Sequence, residues 1–326
     1  MPAGLLTLLG AAALAAAPSP AQPGACPALR WTTLGTAGGP VPTAERGEPA
    51  NLLVAGEGAY LVDTGDGTVN QLARQGLDLG AIGAVFISHH HSDHTGGLAA
   101  VIALRWMNQF PGVLTVYGPV GTRQMVDGIV ASLQPQARIG FGLGAAPLPP
   151  AGSVRVLEMK DGDTVELGGM TVHAAANSHF DHPGPRAPDE PQSLSFRFQI
   201  GARSITYTGD TGPSPAVTAL ARGTDMLVSE VIALDQLIAE IRQRRADASP
   251  QMLTDMARHL STHHLRPEEI GRMAAEAGAR RVVLTHFAVP GPLAPSESAL
   301  RGGVGTAYAG PVDLARDLSS FALGCN

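Results

Sequence analysis

Charged side chains are scarce in this sequence. Only 15% of its 326 residues are Asp, Glu, Lys or Arg, and the formal net charge is −6. No extended run of lysine or arginine occurs along the chain. Proteins that bind nucleic acids usually carry such a basic stretch, because the phosphate backbone is a polyanion. The composition therefore predicts a partner other than a nucleic acid.

Cysteine is also rare, with only Cys26 and Cys325 near the two ends of the chain. The first residues form an apolar stretch that ends in the small residues 18–21, which is typical of a signal peptide and its cleavage site. We therefore predict a signal peptide at residues 1–21, export of the mature chain to the periplasm or the medium, and a disulfide bond between the two cysteines. A mis-assigned start, a membrane-anchoring helix and two unrelated thiols remain alternatives. We expect no stable membrane insertion after cleavage.

Hydrophobic residues make up 44% of the chain, enough to bury a large core. Strand-like and helix-like patterns alternate without repeats or a charged linker, which predicts one layered α/β domain over residues 22–326. The Gly- and Pro-rich residues 140–152 are expected to form a surface loop. Strands are predicted at 52–55, 60–62, 84–88, 113–117, 154–157, 170–175, 194–200, 204–208, 226–228 and 281–285, and helices at 98–107 and 267–277.

The segment SHHHSDHTGG, residues 88–97, follows directly after a buried strand. Residues two apart in an extended chain point to the same side, so His89 and His91 can converge on one point while His90 faces away. Asp93 and His94 come at the start of the next helix and can address a second point nearby. Such a concentration of ligand side chains predicts a metal site.

Further candidate ligands stand where other strands end, namely His179, Asp210 and His286. In layered α/β folds, functional groups gather at the carboxyl ends of strands. Two divalent metal ions held by imidazoles and bridged by a carboxylate would suit zinc, with manganese or iron as alternatives. His173 and His182 remain alternatives to His179, because all three lie in one stretch.

On these residues the chain resembles the metallo-β-lactamase-fold hydrolases, and the match extends over residues 34–287. Asp63 matches the supporting aspartate of that family. The resemblance implies a four-layer αββα sandwich. It also implies that Asp210 bridges two metal ions, of which one is held by His89, His91 and His179 and the other by Asp93, His94 and His286.

Two more stretches resemble the ribonuclease Z-like branch: residues 34–46, which end in Arg46, and residues 264–271. The resemblance gives His264 the role of a general acid beside the scissile phosphate. His263 competes for that role, and a capping or surface histidine is the other alternative. The segment between His179 and Asp210 is too short for the long arm with which true ribonuclease Z clamps tRNA. With the acidic charge and the export signal, this predicts a small-molecule ester as substrate and no nucleic acid.

The expected function is that of an exported, dinuclear metal-dependent hydrolase of phosphodiesters or related aryl and sulfate esters, acting through a metal-bridging hydroxide. Asp93 would position the hydroxide, and His264 would protonate the leaving oxygen. A lactonase or other carboxylic-ester or amide hydrolase is the alternative with the same metals, and a non-catalytic metal-binding module is the alternative outside the enzymes. Glu230 is expected near the pocket. A homodimer is left open.

Overall fold

The computed structural model describes residues 28–139, 148–187, 189–245 and 247–324. The predicted signal peptide, the Cys26–Cys325 bond and residues 140–147 of the predicted surface loop lie outside these ranges. Within them, no helix combines the length and the hydropathy needed to cross a bilayer.

The first sheet has seven strands and begins with an antiparallel edge. From edge to edge the strands are β14 (Ser320–Leu323), β1 (Leu29–Gly35), β2 (Ala50–Ala55), β3 (Gly58–Thr64), β4 (Ile82–Phe86), β5 (Leu114–Gly118) and β6 (Val154–Glu158). The pair β2 and β3 is the predicted hairpin, and the strands from β3 to β6 run parallel.

The second sheet also has seven strands. From edge to edge the strands are β13 (Val312–Leu314), β12 (Val282–Ala288), β11 (Met226–Ile232), β10 (Arg203–Tyr207), β9 (Leu194–Ile200), β8 (Met170–Ala176) and β7 (Thr164–Leu167). The strands from β7 to β10 are antiparallel to their neighbours, and those from β10 to β13 are parallel.

Helices cover the outer face of each sheet. The helices are α1 (Thr68–Arg74), α2 (Ser92–Thr95), α3 (Leu98–Met107), α4 (Thr122–Ser132), α5 (Gln134–Ala137), α6 (Pro215–Leu220), α7 (Leu234–Arg244), α8 (Pro250–His263), α9 (Pro267–Ala277) and α10 (Glu297–Gly305). The two predicted helices occur with the predicted bounds, as α3 and α9. Short 3-10 helices occur at Leu79–Ala81, Pro150–Gly152 and Ala294–Ser296.

Three hydrophobic clusters separate four layers. The central cluster lies between the sheets and joins Trp31 of β1 to Phe196 and Phe198 of β9. A second packs α3 and α4 on the first sheet, and a third packs α6, α9 and α10 on the second. Burying apolar surface on both faces of both sheets stabilises this arrangement. The predicted αββα sandwich is thus confirmed.

Candidate metal centre

The first cluster of ligand side chains, centre 1, consists of His89, His91 and His179. The Nε2 of His89 and the Nδ1 of His91 are 3.0 Å apart, and the Nε2 of His179 is 3.2 Å from the same Nδ1. All three candidate ligand atoms lie within 4.8 Å of one another. The ligand nitrogens of one tetrahedral zinc ion are about 3.3 Å apart, so the spacing fits a single metal ion.

The second cluster, centre 2, consists of Asp93, His94, Asp210 and His286, whose ligand atoms also lie within 4.8 Å of one another. The Nε2 atoms of His94 and His286 are 3.2 Å apart, and the Oδ2 of Asp93 lies 3.5 and 3.6 Å from them. All four residues are buried. Helix α2, the loop after β10 and strand β12 therefore contribute side chains to one site.

Asp210 lies between the two centres. Its Oδ1 is 3.3 Å from the Nε2 of His94 and 3.2 Å from that of His286. Its Oδ2 faces centre 1, at 4.0 Å from the Nε2 of His89 and 3.9 Å from that of His179. Oδ1 is buried and has no hydrogen-bond partner. A buried carboxylate with one oxygen toward each histidine cluster fits a bridge between two divalent ions.

A buried carboxylate orients His94. The Nδ1 of His94 donates to the Oδ2 of Asp63 at 2.8 Å, which leaves Nε2 facing centre 2. Asp63 also accepts hydrogen bonds from Tyr207 Oη, at 2.8 Å, and from the backbone N–H and hydroxyl of Ser88. Asp63 has a φ of 57°, a backbone conformation that is costly for any residue other than glycine. Such strain is found where the surrounding structure holds a functional group in place.

The ligands of centre 1 are oriented in the same way. His179 donates from Nδ1 to the carbonyl oxygen of His263 at 2.9 Å, and His89 donates from Nδ1 to the hydroxyl of Ser88 at 3.0 Å. Burial lowers the pKa of His179 to about 3 and that of His89 well below its usual value. Both imidazoles are therefore neutral at physiological pH, with an Nε2 lone pair available to a metal.

Asp210 is ionised in the metal-free protein. Burial acts to raise the pKa of its carboxyl, but His286 and His94 outweigh burial and hold it well below its usual range. Imidazole nitrogens and carboxylate oxygens are the donors that zinc, manganese and iron accept. The residues present therefore fit divalent metal ions.

The other two histidines of the His179 stretch lie elsewhere. His173 is on β8 and its Nδ1 is 3.0 Å from the hydroxyl of Thr164. The side chain of His182 is 43% exposed and contacts Glu190. The structure thus places His179 beside His89 and His91, and it places neither His173 nor His182 there. Its role as a ligand stays a prediction.

His264 comes directly after α8, and its Nδ1 donates to the Oε2 of Glu230 at 2.7 Å. The other Glu230 oxygen accepts from the backbone N–H of Thr211, next to Asp210. Burial acts to lower the pKa of His264, but the Glu230 carboxylate outweighs burial and raises it to about 9. A ring nitrogen of His264 lies within 4.8 Å of candidate ligand atoms of His179 and Asp210. A protonated His264 is thus placed near His179 of centre 1 and near Asp210, which faces both centres.

His263, the competing candidate, points elsewhere. Its ring packs against His259 on α8, with ring centres 4.5 Å apart. The structure therefore places His264 and not His263 beside the centres.

A β-bulge in β12 lies opposite Glu230. Thr285 and His286 of β12 together oppose Glu230 of β11, because the pairing shifts between Ser229 and Val231. Bulges are common beside active sites, where they turn a side chain away from the regular pleat. The sequence pattern ended this strand at Val228, and so it missed that Glu230 lies inside a longer strand and pairs with His264.

Two other neighbours of the site carry no motif that sequence reasoning could use. The ring of Phe180 packs against the imidazoles of His89, His91 and His179, with ring centres 4.9 to 5.5 Å apart. Gly39 lies so close to Asp93 that an added Cβ would be 2.1 Å from the carboxylate Oδ2. The loop before β2 therefore covers Asp93, and only glycine allows that approach.

The sequence profile described as the Beta-lactamase superfamily domain matches residues 59–287, which include both centres. The chain belongs to this superfamily. Ribonuclease Z from Mycolicibacterium paratuberculosis (strain ATCC BAA-968 / K-10) is 33% identical to it over 294 residues, which cover 89% of this chain and 96% of that protein.

Solved structures support the same fold. The metallo-beta-lactamase fold protein YhfI from Bacillus subtilis superposes with a TM-score of 0.66 at 19% identity, over 90% of this chain and 99% of that chain. Human tRNase Z, short form, superposes with a TM-score of 0.61 at 21% identity, over 91% of this chain and 100% of that chain. The predictions of a metallo-β-lactamase fold, of a ribonuclease Z-like branch and of a metal-dependent hydrolase are confirmed.

The prediction of a small-molecule ester as substrate, with no nucleic acid, is wrong. Superfamily relatives that match most of this chain are named ribonuclease Z, which overturns the exclusion of a nucleic acid. The M. paratuberculosis protein is covered over 96% of its length, so a short segment between His179 and Asp210 does not set this chain apart from proteins of that name. Net charge was a poor guide because it sums the whole molecule, whereas binding to a polyanion depends on the local arrangement of charged groups.

Proposed function

We propose that this protein hydrolyses phosphodiester bonds of RNA with two divalent metal ions, zinc by preference. The observation that carries the proposal is the position of Asp210, whose two carboxylate oxygens face two separate sets of histidines. A site for one ion would need no such bridge. Relatives named ribonuclease Z, which align with 89% of the chain, support RNA as the substrate.

Each centre would hold one metal ion. The ligands of one ion would be His89, His91 and His179, and those of the other would be Asp93, His94 and His286. Asp210 would bind both ions. Bound there, two such ions would withdraw charge from the phosphoryl oxygens and make a water molecule acidic. Asp93 is placed to accept a proton at centre 2, where its carboxylate lies 3.6 Å from His286.

His264 supplies the acid. It keeps its proton at neutral pH in the metal-free protein, and Glu230 fixes the direction of its ring. A leaving ribose oxygen needs a proton because its conjugate alcohol is a weak acid, and a positioned imidazolium provides one. The pair therefore suits a substrate with a poor leaving group, such as an RNA strand.

Incubation of the metal-loaded protein with end-labelled RNA tests the proposal. We expect cleavage that a chelator abolishes and that added zinc or manganese restores. Asp210→Asn should remove this activity, whereas Asp127→Asn on the exposed surface of α4 should keep it. A metal-loaded protein that leaves RNA intact but opens lactones would contradict RNA hydrolysis and would favour the carboxylic-ester alternative.

We also propose that the enzyme acts outside the cytoplasm. The apolar residues 1–17, followed by small residues at 18–21, support a cleaved signal peptide. Expression of the full chain in a Gram-negative host, followed by fractionation and intact-mass measurement with and without reductant, tests this. We expect a periplasmic chain that starts near Gln22 and gains two hydrogen atoms when a Cys26–Cys325 bond is reduced. A cytoplasmic chain that retains Met1 would refute export.

A further inference from the structure

A concave surface lies between α7 and α8, the helix that ends one residue before His264. It is a cleft of about 400 Å³ with aliphatic side chains of both helices on its floor. Three arginines line it, Arg242 from α7, Arg258 from α8 and Arg266 from the start of α9, together with Asp235. None of these residues takes part in the proposed chemistry.

The cleft carries an excess of positive charge. Among the described residues, none forms an ion pair with Arg242. Arg258 pairs with Asp255 at 3.0 Å, but both side chains are more than half exposed, so water and salt screen the pair. The Nη2 of Arg266 is 3.5 Å from Asp235, and its Nε is buried without a hydrogen-bond partner. The three arginines thus meet only two carboxylates, both of them exposed, and the buried Nε of Arg266 lacks an acceptor.

The cleft is fixed to the active site by the end of α8. The carbonyl oxygen of His263 accepts from His179, and that of Thr262 lies against Gly212, where an added Cβ would be only 1.8 Å away. Arg258 is six residues before His264, about 9 Å along the helix. Arg266 is two residues after His264. Arg258 on α8 and Arg266 at the start of α9 thus flank His264 in the chain.

We propose that this cleft binds phosphate groups of the RNA strand whose scissile bond lies at the metal centres. The inference rests on the proposed function. Guanidinium groups match phosphate because their planar N–H donors form paired, charge-assisted hydrogen bonds. A strand is favoured over a free anion because the arginines come from three successive helices and extend away from His264. A nucleotide several positions from the cleaved bond then supplies binding energy, and the cleft makes the enzyme prefer long substrates.

The double variant Arg242→Gln/Arg258→Gln tests the proposal, with Arg244→Gln as the matched control. Arg244 lies on the same helix, carries the same charge and does not line the cleft, because two residues turn an α-helix by about 200°. Cleavage of a twelve-nucleotide RNA is compared with cleavage of a dinucleotide, which is too short to reach the arginines. We expect the ratio of kcat/KM for RNA to that for the dinucleotide to fall roughly tenfold or more in the double variant, through KM. The slope of log Kd against log salt concentration should decrease by about 1.4, because the double variant loses two phosphate contacts on a single strand.

Equal ratios in wild type and double variant, or an equal loss in Arg244→Gln, would overturn the cleft as a phosphate site. Fluorescence anisotropy of a labelled twelve-nucleotide RNA separates this result from a failure of the proposed function. If wild type cleaves no diester but binds RNA more tightly than the double variant, the proposed reaction fails and the cleft stands. If the two proteins bind RNA equally, or neither binds, the cleft proposal fails whatever the activity.

Discussion

Glu230 and His264 form a partly buried pair in which the imidazole Nδ1 lies 2.7 Å from a carboxylate oxygen. The pair joins two parts of the chain, strand β11 opposite the bulge in β12 and the residue that follows α8. Because Nδ1 is occupied by this bond, the other ring nitrogen is the one available to a substrate. Under the proposed function, this geometry would make Glu230 a positioning residue and His264 the acid.

Removal of the acid should affect substrates unequally. His264→Ala is expected to slow cleavage of RNA by about 10²- to 10⁴-fold and that of a nitrophenyl phosphodiester far less, since nitrophenolate leaves without a proton. Metal content should stay the same. His259→Ala, an exposed histidine of α8, is the control and should behave like wild type. Loss of metal in His264→Ala would instead make His264 a ligand, and an equal loss on both substrates would make it a binding residue.

Glu230 should control the pKa of His264. In the metal-free protein the imidazole has a pKa of about 9 because of the carboxylate. Glu230→Gln removes the charge but keeps the size, so the pKa should fall and the ring should lose its proton at a lower pH. Titration of the His264 ring proton by NMR, in metal-free protein, measures this. An unchanged titration curve would show that another group holds the proton on His264.

Loss of the bridge should remove metal before it removes the fold. Asp210→Ala is expected to reduce bound metal from about two ions per chain to one or none and to abolish RNA cleavage, with native far-UV circular dichroism. The reason is that Asp210 belongs to both centres, whereas the hydrophobic layers are held by burial elsewhere. Elemental analysis that finds two ions in the variant would show that Asp210 does not bridge.

The third histidine of centre 1 can be tested against its neighbours. His179→Ala should weaken metal binding, and His182→Ala and His173→Ala should not, because only His179 lies near His89 and His91. Competition with a chromophoric zinc chelator measures the affinity of each variant. A weaker site in His182→Ala, with a normal one in His179→Ala, would reverse the assignment.

Local patterns predicted the helices α3 and α9 and the position of the main histidine motif, because periodicity and strand-end position depend on neighbouring residues. They missed the amphipathic helices α7 and α8, which begin at Leu234 and Pro250, although Ser249 caps α8 by accepting from the N–H of Met252. Strand ends were also shifted. The strand predicted at 281–285 is Val282–Ala288, and His286 lies inside it with a φ of 45°. That conformation depends on the bulge opposite Glu230, a contact distant in sequence.

Charge gave the least reliable guide. The overall balance of −6 hid the arginines around α7 and α8, because they are spread over residues 242–266 and meet only in the fold. The same is true of the Glu230 and His264 pair, which are 34 positions apart. Side chains that converge from separate elements become visible only in three dimensions.

The hydrogen bond from His179 to the carbonyl oxygen of His263 makes the end of α8 part of the support of centre 1. If α8 swung outward to release a long product, that carbonyl would move with it and His179 would lose the partner that fixes its tautomer. Under the proposed function, opening a path for the product in this way would also weaken the hold of His179 on a metal ion. Release that keeps α8 in place would have the product slide out along the proposed cleft, by threading rather than by the opening of a lid.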